Sequence, residues 1–226
     1  MRLCKKLSTI SVLIILITIC LVVYFYLQRD TKTTEAEQIK TLLAELNEAG
    51  NMIDAVKSEM PKELLETHNY LVSGALEGKL YKANPKLKDL IMYHGAKTQS
   101  VYINTALKLT KELWIPVFYH EVAHSYWHAK DQDKTFEELE SQLFNSENYA
   151  YTVNAQVWDL VMRYYPIEKG ELETELEQRL FRIYSDETKV YNEMIKGNPE
   201  AKELWVKIIE ADIKEREKYQ KLLFEK

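Results

Sequence analysis

The chain has 226 residues, which is room for one soluble domain and little more. Six Gly and five Pro, against plentiful Glu, Lys, Leu, Ile and Tyr, favour a mainly helical protein over a β-rich one. The net charge is -5 with acidic and basic residues interspersed, so there is no basic stripe and a nucleic-acid partner is excluded.

The N-terminus reads as a membrane anchor. The 22 residues between Lys6 and Arg29 are uncharged, and Ile10 to Leu27 is nearly all Ile, Leu, Val, Tyr and Phe. Rising ~1.5 Å per residue as a helix, such a run spans the ~30 Å hydrocarbon layer. Arg2, Lys5 and Lys6 precede it, whereas Arg29-Asp30-Thr31-Lys32 after it is nearly balanced, which keeps the N-terminus cytoplasmic and exports the rest. A cleaved signal peptide is the competing reading. It fits less well, because the apolar run ends Tyr-Phe-Tyr-Leu-Gln-Arg with no small-residue cleavage site, and Ile19 argues against lipidation at Cys20. Residues 1–28 are therefore expected to be a cytoplasmic stub and signal anchor, 29–33 a linker, and 34–226 one domain outside the cytoplasm. Both cysteines, Cys4 and Cys20, fall in the first segment, so the domain must be stabilised by its core, and any metal in it must be held by His and carboxylates.

Thr34-Glu35-Ala36-Glu37 has capping-box form and opens a helix bearing Ile39, Leu42, Leu43, Leu46, Ile53 and Val56, with Gly50-Asn51 as a weak point in its middle. Pro61 starts a second helix through about Leu76, stopped by Gly78. Asn84-Pro85 opens a short helix ending near His94-Gly95. Ser100 to Asn104 is β-branched and aromatic and is the best strand in the chain, with a weaker one near Leu80-Tyr81. After a helical turn near Ala106 to Leu113, Pro116 suits the first position of a helix running to about Ala129.

That helix carries His120-Glu121-Val122-Ala123-His124, an H-E-x-x-H pattern. Two imidazoles four residues apart project about 40° from each other, so both can grip one zinc ion, and the adjacent glutamate can act as general base on a zinc-activated water. A chance match arises in roughly one such sequence in a hundred, so the surroundings decide. Val117, Phe118, Tyr119, Val122, Ala123, Tyr126 and Trp127 make the helix apolar almost all round. Such a helix is buried, and two histidines and a glutamate inside it need partners.

A third ligand comes from the next helix, expected from Phe136 to about Tyr165, where Pro166 stops it. Its stripe of Leu139, Leu143, Ala150, Val157, Trp158 and Val161 is interrupted by Glu147, a carboxylate where the core is expected. Glu147 is the candidate ligand, Ala150 is small enough for close helix approach, and Asn154 can hydrogen-bond a ligand from behind. The structural alternative pairs Glu147 with an Arg or Lys of another helix. Glu140 is the rival carboxylate, and its place near the helix start favours solvent. His128, one turn past His124, is a further ligand candidate but reads better as a residue of the site rim. His68 and His94 lie on other elements and read as satisfied histidines. Tyr126, His128, Tyr149 and Tyr151 are candidates to stabilise an oxyanion.

Val-Tyr-Ile-Asn at 101–104, the His-Glu-x-x-His helix and Glu147-Asn148-Tyr149-Ala150 together resemble the zincin metallopeptidases, and the two-His-plus-Glu set resembles their gluzincin branch. The spacing is similar to minimal forms such as the ImmA/IrrE group, over about residues 100 to 160. The resemblance implies a mainly α (α+β) zincin-like fold with a small β element, zinc as cofactor, His120, His124 and Glu147 as ligands, and Glu121 as general base and proton shuttle. No Gly-x-x-His follows the motif, so the metzincin pattern does not fit. The anchor departs from the soluble ImmA/IrrE proteins, whose repressor-cleaving role is therefore not carried over.

The segment 170–226 reads as three helices packed on the catalytic core, with Gly197 closing one, Asn198-Pro199 opening the next, and Trp205, Ile208, Ile209 and Ile213 on an apolar face. The expectation is a membrane-anchored zinc metallopeptidase acting on a peptide or protein substrate. The alternative from another class is an anchored helical binding or scaffold protein with a structural or degenerate metal site. The sequence does not indicate an oligomeric state.

Overall fold

The computed structural model describes residues 37–224, apart from isolated positions between 38 and 49 and the segments 84–89, 96–97, 131–137 and 139–140. The expected anchor and linker, both cysteines, the Thr34 capping box, Asn84-Pro85 and Glu140 lie outside the described residues. Among the described residues no helix is long and apolar enough to cross a membrane. Residues 42–226 form one unit, mainly helical with a small three-stranded sheet, as the composition predicts.

The first described helix continues through Gly50 and Asn51 to Asp54, so the expected weak point does not break it. Leu46 and Ile53 are buried and hold it to the core. A 3-10 turn follows at Lys57–Glu59, and then α1 at Lys62–Val72, directly after Pro61. α1 stops four residues short of Leu76. The Ser73 hydroxyl donates back to the Tyr70 carbonyl at 2.7 Å, and Gly74 takes φ +78, a left-handed conformation open to glycine.

The sheet comprises β1 (Leu80–Lys82), β2 (Met92–Gly95) and β3 (Ser100–Ile103), in the order β1-β3-β2. β1 runs parallel to β3 with Leu80 opposite Val101, and β2 runs antiparallel with His94 opposite Val101. The helix expected to end near His94-Gly95 is thus a strand there. Burial alternates along it, with Met92 and His94 facing inward. A Cβ at Gly95 would lie 2.7 Å from Thr98 Oγ1 and 2.9 Å from Tyr102 Cε2, so any larger residue there requires those side chains to shift. Among the described residues β2 has one strand partner, which makes it an edge strand.

α2 spans Lys111–Lys130, so it begins five residues before Pro116. Glu177 accepts the Thr110 amide at 2.9 Å and caps the approach to the helix. Pro116 therefore sits inside the first two turns, where it removes the bond to the Glu112 carbonyl and sets its ring against that carbonyl. α3 spans Leu143–Tyr164 and starts later than Phe136. The Ser141 hydroxyl turns back to the Glu138 carbonyl at 2.7 Å, and residues 141–142 form a turn.

The C-terminal third holds two long helices, not three: α4 (Glu175–Ile195) and α5 (Pro199–Phe224), after a 3-10 turn at Lys169–Glu171. Thr174 and Glu177 form a capping box for α4. Gly197 at φ +91 ends it, and the Asn198 side-chain oxygen accepts the Glu200 amide at 3.0 Å to open α5. α2 packs most extensively on α3, and α4 and α5 pack on α3 and on each other. Trp205 and Ile209 of α5 bury themselves against Ala155 of α3.

Candidate metal centre

α2 and α3 meet with their polar residues facing one another. His120, Glu121 and His124 of α2 and Ser146 and Glu147 of α3 are all buried, and Glu147 has no exposed surface at all. Ala150, one turn beyond Glu147, is also fully buried, and with no side chain past Cβ it lets the helices approach. Burial of this many polar groups requires that their partners be built in.

Three ligand atoms converge. His124 Nε2 lies 3.2 Å from His120 Nε2 and 3.3 Å from Glu147 Oε2, and His120 Nε2 lies 3.6 Å from the same oxygen. A tetrahedral ion with bonds of about 2.0–2.1 Å spaces its ligand atoms about 3.3–3.4 Å apart. The triangle therefore has about the dimensions of one face of a tetrahedral coordination sphere. Glu147 supports the fit further, since Oε2, its oxygen at the triangle, is buried with no aligned hydrogen-bond donor. This buried His120, His124 and Glu147 group can hold a metal ion.

The histidine orientations are set from outside the triangle. His124 Nδ1 lies 2.9 Å from the Ser146 hydroxyl, and its Nε2 lies 2.9 Å from Arg216 Nη2. A guanidinium can only donate. Nε2 therefore carries the lone pair, and Nδ1–H donates to Ser146. That is the tautomer a ligand at Nε2 needs, fixed by a neighbour behind it. Burial pushes the His124 imidazole down to about 3. Burial also lowers His120, but Glu147 and Glu121 outweigh it and raise that imidazole overall.

Arg216 of α5 is the residue that sequence reasoning missed. Its Nη1 stands 2.7 Å from Glu147 Oε1, its Nη2 3.9 Å from Glu121 Oε2, and its Nε 3.3 Å from Asp212 Oδ2. Burial disfavours the guanidinium charge, but Glu147, Glu121 and Asp212 together raise its pKa. Conversely, burial alone would raise Glu147, and Arg216 with His124 holds it well below the usual carboxylate range. The expected Arg or Lys partner of Glu147 and the expected metal group are thus both present, at one carboxylate. A signal for Arg216 exists in the sequence: continuing the Trp205–Ile209 stripe at 3.6 residues per turn puts Asp212 and Arg216 on the buried face.

Glu121 points past the triangle. Burial raises its pKa against the pull of Arg216, and its Oε2 is buried without a hydrogen-bond partner. It borders a cavity of about 350 Å³ lined by β2, α2, α3, α4 and α5. His120, Tyr151, Asn154, Glu187, Asp212 and Arg216 contribute its polar surface.

Other expected residues are placed as follows. Tyr151 lines the cavity, its ring edge-on to His120 at 4.9 Å. Tyr126 bonds Glu66, and Tyr149 bonds the Glu63 carbonyl and Thr67, so both face away from the cavity. His128 stacks on His94 at 5.2 Å. His68 is buried between Tyr119 Oη at 2.7 Å and Asp54 Oδ1 at 3.0 Å, a satisfied core histidine. His94 is not satisfied as expected. It stacks on His124 at 6.1 Å, lines the cavity, and has a buried Nε2 with no hydrogen-bond partner. Its strand conformation turns it toward α2, a direction that a helix at this point would not have given. Asn154 does not brace a triangle residue; it donates to Glu187 at 3.4 Å, and Ser146 fills the bracing role instead. Comparison with known proteins finds no matching family model, no similar curated protein and no similar solved structure.

Proposed function

We propose that this chain is a zinc-dependent metallopeptidase of zincin type, gluzincin-like, tethered to the membrane by residues 1–28 with its helical domain on the extracytoplasmic side. The observation that carries the reading is the His120–His124–Glu147 triangle, whose edges of 3.2, 3.3 and 3.6 Å match one tetrahedral face. The 22 uncharged residues between Lys6 and Arg29 support the tether.

His120, His124 and Glu147 would hold the ion. Zinc, when bound, supplies Lewis acidity toward a carbonyl oxygen and brings a water's pKa to about 7. Glu121 is the general base. Its carboxylate is buried at the edge of the cavity with one oxygen unpaired, so it takes a proton from the attacking water and passes it to the leaving amine. Tyr151 and Arg216 present donors to the same cavity, where oxyanion charge develops. A peptide is the favoured substrate because β2 is an edge strand and residues Leu90 to His94 line the cavity. An extended backbone can pair with that edge and pass the triangle.

The test is metal content and turnover together. The purified chain should carry about one zinc, removed by a chelator. Glu147→Ala should abolish zinc binding and Glu140→Ala should not. Glu121→Gln should keep the zinc and lose about 10²–10⁴-fold in peptide hydrolysis. A folded chain that takes up no zinc refutes the metal centre, and undiminished turnover by Glu121→Gln refutes the assigned base.

A further inference from the structure

The cavity beside the triangle carries an imbalance that the proposed chemistry does not use. Its carboxylates, Glu121, Glu187, Asp212 and Glu215, face one guanidinium among the described lining residues, Arg216. The hydrogen-bonding is skewed the same way. Among the described lining residues, the buried polar atoms without an aligned hydrogen bond are Glu121 Oε2, Asn154 Oδ1, Asp212 Oδ2 and His94 Nε2. Three of these four can only accept.

Asn154 is the telling one. It is 5% exposed, its amide nitrogen is directed at Glu187, and its oxygen is left without a donor on the cavity wall. Glu187 has that one long contact of 3.4 Å as its hydrogen bond. Glu187 and Asp212 thus present acceptors from α4 and α5, and Asn154 presents one from α3. Much of the rest of the lining is apolar: Ile91, Met92 of β2, Val117 of α2, and Leu180 and Ile183 of α4. A group that fills this space carries a positive donor at its tip and an aliphatic stem behind it.

We propose that the cavity is a recognition subsite for an organic cation on an aliphatic stem, received by Glu187, Asp212 and Asn154. The proposal rests on the peptidase reading only in taking the cation as part of the substrate, either a basic side chain or an N-terminal amine. Glu187 has its pKa pushed up to about 7, chiefly by burial, with His120 opposing and Asp212 and Asp186 adding.

The test is direct binding to the full-length chain in detergent, with and without zinc, and needs no turnover. Three probes separate the sources. Nα-acetyl-lysinamide carries only a side-chain ammonium, norleucinamide carries only an α-ammonium, and Nα-acetyl-norleucinamide carries neither. One of the charged probes should bind at least about tenfold tighter than the neutral one, and its identity tells which source the site takes. Glu187→Gln, which keeps the shape, should erase that preference, and Asp212→Asn should reduce it. Equal affinity for all three probes overturns the subsite, as does a preference that survives Glu187→Gln in a chain shown to be folded. A preference without any peptide hydrolysis supports the subsite while defeating the peptidase reading.

Discussion

Arg216 holds the position on which the most depends. Its Nη2 donates to His124 Nε2, the same lone pair that a metal requires. The guanidinium and an ion therefore compete for one atom, and each neutralises Glu147. Arg216→Gln should leave Glu147 buried without its counter-charge and destabilise the metal-free chain by about 3 kcal/mol. The same variant removes the competitor, so zinc should raise its melting temperature by more than it raises that of the wild type. Thermal melts with and without one equivalent of zinc measure this; an equal or smaller rise would show that Arg216 does not contend for the site. Ser146 acts at the same scale. It fixes the His124 tautomer, and Ser146→Ala is expected to weaken zinc affinity by about 10–100-fold in a competition titration.

Among the elements, the helices were legible and the site's far side was not. The all-round apolar character of 117–127 announced α2 as buried, and Glu147 announced itself by interrupting a stripe. Both signals are local, produced by a 3.6-residue period within one helix. β2 was misread because its four residues are too short to show a period, and what makes them a strand is pairing with β3 and the close approach at Gly95. Arg216 lies 92 residues from His124 in a tract of charges that reads as solvated. Its burial depends on where α5 lands, and Trp205 decides that. Trp205 is 2% exposed, bonds Asn148 at 2.9 Å and packs on Tyr151 and Tyr191. Trp205→Ala should cost about 3–5 kcal/mol, followed by denaturant unfolding. A cost under about 1 kcal/mol would mean that α5 is held elsewhere.

For the molecule as a whole, the acidic cavity ties stability to pH. Glu187 has a folded-state pKa of about 7 against an ordinary value of 4.5. A carboxyl raised in this way takes up its proton on folding, so its contribution is complete below about 4.5 and is lost as pH rises through about 7. Glu187→Gln carries no such proton. The melting temperature of the variant should therefore gain on that of the wild type by a few degrees between pH 5 and pH 8. A gap that stays constant across that range would mean that Glu187 titrates normally. The exposed pairs, such as Lys196 with Glu193, add little to this balance, because water screens them.

The outer margin of β2 bears on what kind of discrimination the proposed peptidase would exercise. A ladder along a strand edge engages only the main chain, so it distinguishes one peptide from another hardly at all. In the proposed peptidase, selectivity would then be concentrated at the one residue whose side chain drops toward Glu187, while its neighbours would be read permissively. Proline is the exception among those neighbours, since it brings no amide hydrogen to the ladder. The profile that follows is one demanding position, a tolerant flank, and an aversion to proline within it.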